Sequence, residues 1–244
     1  LTFHKWNEAK NILSQLIGKY SLLPSIGQVF DVNNKNNAEI IFAVHFNKEI
    51  VNEGHSYWYD ITNLTDESGQ AEALVNCFTP GDTRKEMITY VKAENKAYLM
   101  TKFLDTKNVS FNQVGNDQIL LRYADVLLMY AEALNELGYD ASEGSIALKQ
   151  LNATRTRAGL TKLTAADVPT QESFRKAILD ERQKEFPYEG HRWFDLVRMG
   201  YAKSVLATQG LNIQDYQLLF PIPQTEIEKV GDSKILWQNP GYDK

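Results

Sequence analysis

Apolar residues recur at helical intervals in several stretches of this chain and lose that rhythm between them. Trp6, Ala9, Leu13, Leu16, Ile17 and Tyr20 fall along one face, which predicts a helix with a single buried stripe over residues 1–20. Gly18 weakens its last turn, and Pro24 lies beyond its end. Residues 39–46 form a short apolar run rich in aromatic and β-branched side chains, the pattern of a buried strand or extended segment. From Asn47 to Gln118 the periodicity weakens, punctuated by Gly54, Gly69, Pro80, Gly81 and Gly115. So long a stretch without regular order is more often functional than idle. Within it, residues 97–103 predict a short strand or helix.

Helical order then returns. Leu120, Leu121, Ala124, Leu127, Leu128, Ala131 and Leu134 predict a helix over 120–137, closed by Gly138 as a left-handed C-cap. Ser142 is placed to cap a second helix through Ala158, closed by Gly159. Thr170 caps a third, whose inner face carries Phe174, Ala177, Ile178, Glu181, Arg182 and Glu185 and which Pro187 stops. A fourth spans 191–199 before Gly200, and the proline-rich tail carries a short helix at 225–229. Two consecutive helix pairs joined by short turns are stacked hairpins, the unit of helical repeats. Residues 130–138 have the small-residue helix end of tetratricopeptide repeats, without the full repeat signature. The expected fold is mainly α: tetratricopeptide-like stacked helix hairpins with a long irregular loop region and few short strands. Residues 1–23 would end a helical repeat, 24–118 form the loop-rich region, 119–200 the two helix pairs, and 201–244 an extended tail.

Composition narrows the classes of function. A chain of 244 residues, 43% of them hydrophobic, can bury a substantial core. A net charge of −5, with no basic stripe, argues against nucleic acid as a partner. Cys77 is the lone cysteine, so neither an internal disulfide nor a cysteine-based zinc site can form. No apolar run approaches the roughly 18 residues of a spanning helix. The chain begins at Leu1 and reads as a processed or excised fragment.

Glu181, Arg182, Glu185, Glu189, Arg192, Asp195 and Arg198 form the cluster that most resembles an active site. Paired carboxylates can divide acid and base roles when their environments separate their pKa values. Glu181 and Glu185, however, lie one helical turn apart among arginines, which lowers carboxylate pKa values and disfavours a general acid. The cluster is expected to be an ion-pair network locking the last two helix pairs, with no catalytic residue. His4, His45, His55 and His191 are scattered without metal-ligand spacing. Residues 31–37 lack the glycine and closing glutamate of a calcium loop, having Asn36 and Phe42 at those positions. With no glycine-rich phosphate loop either, no cofactor or metal is expected. Residues 54–60 differ from all of these: Tyr57, Trp58 and Tyr59 stand in a row within a polar, glycine-flanked loop, with His55 and Asp60 beside them. Sugars offer apolar C–H faces and hydroxyl rims, which suit aromatic planes next to short polar groups. Alternation along an extended segment sends Trp58 opposite to its neighbours. Trp58 is therefore the leading ligand-binding candidate, ahead of Tyr57, Tyr59, His55 and Asp60.

Residues 121–134, the Asn-Ala-Thr-Arg-Thr-Arg-Ala-Gly segment at 152–159, and the Glu-Arg-Gln-Lys-Glu-Phe-Pro-Tyr-Glu-Gly-His-Arg-Trp-Phe-Asp-Leu-Val-Arg block at 181–198 are more specific than any periodicity. Phe-Pro-Ile-Pro at 220–223, Gln-Asn-Pro-Gly-Tyr at 238–242 and Gly-Asp-Thr-Arg at 81–84 add to them. Together, in order and spacing, they resemble the SusD/RagB family of outer-membrane nutrient-binding lipoproteins. The resemblance implies a carboxy-terminal half, with the amino-terminal half and its lipid-bearing cysteine outside this chain. It further implies non-catalytic capture of an oligosaccharide or other nutrient at the bacterial cell surface, and delivery to a SusC-like TonB-dependent transporter. The membrane would be a partner only through the lipid anchor. The alternative is a helical-repeat interaction scaffold in which the Tyr-Trp-Tyr loop is structural. Helix faces left bare by the missing half would favour self-association.

Overall fold

Residues 1–56, 70–92, 97–103, 105, 114–140 and 142–242 are described by the structure, a computed structural model. They fall into two units, Leu1–Arg192 and Trp193–Lys244. The first unit holds helices α1 (Trp6–Ser14), α2 (Ile26–Val29), α3 (Gln70–Asn76), α4 (Tyr123–Leu137), α5 (Ile146–Arg157) and α6 (Gln171–Glu185). It also holds strands β1 (Ile40–Val44), β2 (Ile88–Lys92), β3 (Ala97–Met100) and β4 (Gln118–Arg122).

Helix α4 is the hub, packing against α1, α5 and α6. Its Leu128 and Ala131 are fully buried, as the apolar stripe requires. Leu13, Tyr123, Val126, Leu127 and Tyr130 form one core cluster, with Ala9, Leu16, Ile17 and Tyr20 packed on it. The amino-terminal stripe therefore faces inward as expected, although α1 itself stops at Ser14 and turns follow. Gly18, with φ +81°, makes one of those turns, and its N–H donates to the Tyr123 hydroxyl at 2.9 Å.

Helix boundaries differ from the sequence reading in three places. The helix expected from Leu120 begins at Tyr123, because residues 118–122 form β4 and pair antiparallel with β1. Leu120 and Leu121 fit a helical stripe, but the Tyr123 N–H bonds the Glu39 carbonyl at 2.8 Å, and Arg122 stays extended (φ −141°, ψ 161°). Gly138 is not a left-handed cap: its φ of 170° is extended backbone, while its N–H still reaches the Leu134 carbonyl. Ser145, rather than Ser142, caps α5 by accepting from the Leu148 N–H. Thr170 caps α6 as expected, in a reciprocal arrangement with Ser173.

The region expected to be irregular carries more order than its weak periodicity suggests. Strands β2 and β3 form an antiparallel hairpin, flanked by 3-10 turns at Thr83–Met87 and Thr101–Phe103. Residues 97–103 are thus strand and 3-10 helix in succession. Beneath them Ile26, Val29, Phe30, Phe78, Met87, Phe103 and Ile119 make a second apolar core. These elements are three to seven residues long, too short to display a period.

Helix α7 (Arg192–Arg198) starts at the last residue of the first unit, and in the second unit α8 (Ala202–Ala207) and α9 (Gln224–Val230) precede a tail folded onto itself. The Gln238 side chain accepts from the Ile222 N–H at 2.7 Å and donates to its carbonyl at 2.8 Å. Asn239 donates to the Phe220 carbonyl, and the Tyr242 hydroxyl to that of Leu219. Two motifs far apart in sequence are therefore two sides of one clamp. Gly241, with φ +89°, is obligatory there, since a Cβ would lie 2.4 Å from the Tyr216 ring.

Candidate functional site

The most polar part of the first unit is a buried ion network. Five carboxylates, Glu39, Asp82, Glu181, Glu185 and Glu189, face five cations, Arg84, Lys102, Arg122, Arg155 and Arg157. Arg84 grips Asp82 through Nε and Nη2 at 2.9 and 2.8 Å, and its Nη1 reaches Glu181 at 2.6 Å. Arg122 donates to Glu39 at 3.0 Å, to Glu185 at 2.6 Å, and through Nε and Nη2 to Glu189 at 2.7 and 2.8 Å. Arg157 bonds Glu39 and Glu185, and Lys102 bonds Glu189 and the Pro187 carbonyl. Beside it, Arg182 pairs with Asp125 at 2.6 Å.

Burial alone would raise the Glu185 carboxyl, but Arg157, Arg122 and Arg84 outweigh it and hold the group well below the usual carboxylate range. Glu189 is likewise held low against its burial, by Arg122 and Lys102. A carboxylate held that low cannot keep the proton a general acid donates. This cluster is a frame rather than a pair of catalytic acids. It reaches further than the last two helix pairs. Glu181, Glu185 and Glu189 belong to it, whereas Arg192 donates to the Leu179 carbonyl and Asp195 pairs with Arg198. Five partners could have been found in the sequence, because Asp82, Arg84, Arg122, Arg155 and Arg157 each sit inside a specific motif. Glu39 and Lys102 carry no such signal.

Of the ligand-binding candidates, Tyr57, Trp58, Tyr59 and Asp60 lie outside the described residues. His55, two residues before Tyr57 in the sequence, is described. It pairs with Val114 in an isolated antiparallel bridge, with N–H···O distances of 3.2 and 3.1 Å. Its Nε2 lies 2.8 Å from the Asn116 carbonyl, which can only accept, so that nitrogen carries the proton. Burial lowers the His55 pKa despite the Asn116 bond and nearby Asp117, which favours the neutral ring. The ring rests on Phe46, with centroids 4.4 Å apart.

Phe46 is fixed at its backbone on both sides. Its N–H donates to Asp117 Oδ1 at 3.1 Å, and its carbonyl accepts from Lys35 Nζ, which also bonds Asp117 at 2.7 Å. His45 adds a second contact to Asp117 at 2.8 Å. Burial would raise Asp117, but bonds from Lys35, His45 and the Phe46 N–H bring its pKa below the ordinary value. Phe46 lines a cleft of about 240 Å³ with Asn33, Asn47, Lys48, Asp105 and Gly115. A wider cleft of about 450 Å³ lies across the Val32–Asn33 turn, reaching Gln28, Thr83 and Lys102. Cys77 is half-buried, and burial pushes its thiol up to about 11, which leaves it unreactive near neutral pH.

The arrangement defines a class: a helical-hairpin scaffold built round a buried ionic frame whose carboxylates are turned inward on arginines. The family model for the SusD family matches residues 84–242, and the chain belongs to that family. SusD-like protein P25 of Formosa agariphila is 28% identical over 91% of this chain and 52% of its own length. The starch-binding protein SusD of Bacteroides thetaiotaomicron is 31% identical over 57% of this chain and 24% of its own. Among solved structures, surface glycan-binding protein A from Bacteroides fluxus aligns with a TM-score of 0.77 at 28% identity. That alignment covers 98% of this chain and 58% of the other. The chain spans about half or less of the length of the curated relatives it matches.

Proposed function

We propose that this chain is the carboxy-terminal part of a surface-exposed outer-membrane lipoprotein that binds oligosaccharide without cleaving it. The captured glycan would pass to a SusC-like TonB-dependent transporter. Binding would centre on the loop at residues 54–60, with Trp58 as the main platform and Tyr57, Tyr59, His55 and Asp60 around it. The observation that carries this reading is the contrast between the two polar regions. The carboxylates of the ionic frame are taken up by its own cations, whereas the aromatic run begins two residues after His55 in the sequence, and His55 is itself held by Val114, Asn116 and Phe46. A relative named as starch-binding and a structural neighbour named as surface glycan-binding support the choice of ligand class. Among the described residues no helix is long and apolar enough to cross a membrane.

Intrinsic tryptophan fluorescence tests the proposal. Saturable quenching or enhancement is expected with at least one of starch, laminarin, xylan and host-type oligosaccharides, and Trp58→Ala should abolish it with an unchanged thermal melt. Absence of response to every glycan would favour the interaction-scaffold reading for this chain.

A further inference from the structure

We infer that the groove along helix α5 is a docking site for an acidic peptide segment of a partner protein. The inference does not depend on the glycan-binding reading above; it adds a second surface, on the opposite kind of chemistry.

The groove encloses about 650 Å³ between α5 and the turn at 162–164, within the first unit and within the range of about 300–1,000 Å³ typical of binding clefts. Its walls are tied before anything binds. The Asn152 side chain donates to the Leu163 carbonyl and accepts from the Leu163 N–H, both at 2.8 Å, which pins the turn to the helix. The Glu143 carboxylate accepts from the Ala165 N–H at 2.8 Å and ties the segment after that turn to the residues before α5. A groove fixed in this way loses little freedom when it is filled.

Shape and lining select a peptide. Lys149, Ala153 and Thr156 recur at intervals of four and three residues, so one face of α5 runs along the groove. The 12 residues of α5 extend about 18 Å, room for about five residues of an extended peptide or about three turns of a helical one. The apolar lining is aliphatic (Leu148, Ala153 and Leu163) and includes no aromatic side chain. A sugar ring finds no stacking plane there, whereas aliphatic side chains of a peptide find like surface. Charge then selects an acidic one. Lys149 on the helix and Lys162 on the turn are exposed, and neither pairs with a carboxylate of the described residues. Against these two cations Glu143 is the one acid of the lining, and it is already engaged by the Ala165 N–H. Asp167, outside the lining, is taken up by the Thr164 N–H and hydroxyl at 2.8 and 2.7 Å. The groove is therefore net positive on a chain whose net charge is −5. The amino terminus of α5, at one end of the groove, adds the same sign.

A random peptide library displayed on phage, selected on the 244-residue chain and counter-selected on the chain carrying Lys149→Glu with Lys162→Glu, decides the matter. The enriched sequences are expected to combine Asp or Glu with Leu, Ile or Val. A synthetic peptide of that consensus, followed by fluorescence anisotropy, should bind the wild type and lose about tenfold in affinity on the double variant. The melt should not move, because both lysines are exposed. Affinity should also fall with added salt. Should the double variant melt early, Thr156→Trp takes its place: it fills the groove from an exposed position and should weaken binding at an unchanged melt. No enrichment, a basic consensus, or a consensus peptide that binds the wild type and a well-folded variant equally overturns the docking site. Tighter binding of alginate than of the consensus peptide, lost in the same variants, overturns it too and assigns the groove to an anionic glycan.

Discussion

Lys102 and Arg122 are both buried and both hold Glu189, yet burial weighs on them differently. Burial lowers the Lys102 ammonium to about 8, with Glu189 opposing only in part. Arg122 spreads its charge over Glu39, Glu185 and Glu189 and stacks on the Phe186 ring at 4.5 Å. Removing one partner from a buried network costs most where several opposite charges are left facing each other. Arg122→Met should therefore destabilise by about 3–5 kcal/mol. Lys102→Met should cost less than Arg122→Met, since Glu189 keeps its two bonds from Arg122. Urea denaturation midpoints of the two variants check this, and equal losses would refute the asymmetry. Glu185 was legible in the sequence as part of a network because its arginine neighbours sit in the same motif. Glu39 was not, because its partners Arg122 and Arg157 lie 83 and 118 residues away.

Helices α4, α5 and α6 could be read from the sequence because each is long enough for an apolar stripe to repeat and each ends at a recognisable breaker. Leu128→Ala tests that reading: with the side chain fully buried at the hub, a loss of about 2–5 kcal/mol is expected. An unchanged melt would displace Leu128 from the core. The error at the start of α4 has a physical origin. Leu120 and Leu121 continue the helical spacing, but the partner strand offers a ladder that a helix could not satisfy. Leu120 has no partner in the register between Leu121 and Ile119, so pairing is irregular at that point. The tail clamp was visible as two motifs but not as one object, since nothing in their composition says that Gln238 reaches Ile222. Of the candidate site, the sequence offers the aromatic run at 57–59, which lies outside the described residues; the ties of the Phe46 backbone to Lys35 and Asp117 depend on contacts that sequence spacing does not encode.

At the scale of the whole molecule, β1 and β4 leave Phe42, Val44, Leu120 and Leu121 between 44% and 54% exposed. Phe42 and Leu121 are partners in the register of this sheet, so two of these exposed apolar side chains lie side by side as a patch. The 244-residue chain is expected to self-associate with rising concentration, as light scattering would detect; a monomer at every concentration would count against the patch. The ionic frame acts over the same scale. Glu39, Arg84, Lys102 and Arg122 stand between successive excursions of the chain and converge on Glu185 and Glu189, directly or through a shared partner. Each excursion therefore starts and finishes at a fixed foot. Doubling the length of a flexible loop between fixed ends costs only about 0.6 kcal/mol. A lineage could lengthen, trim or replace the segments between those feet while inheriting the same scaffold unaltered.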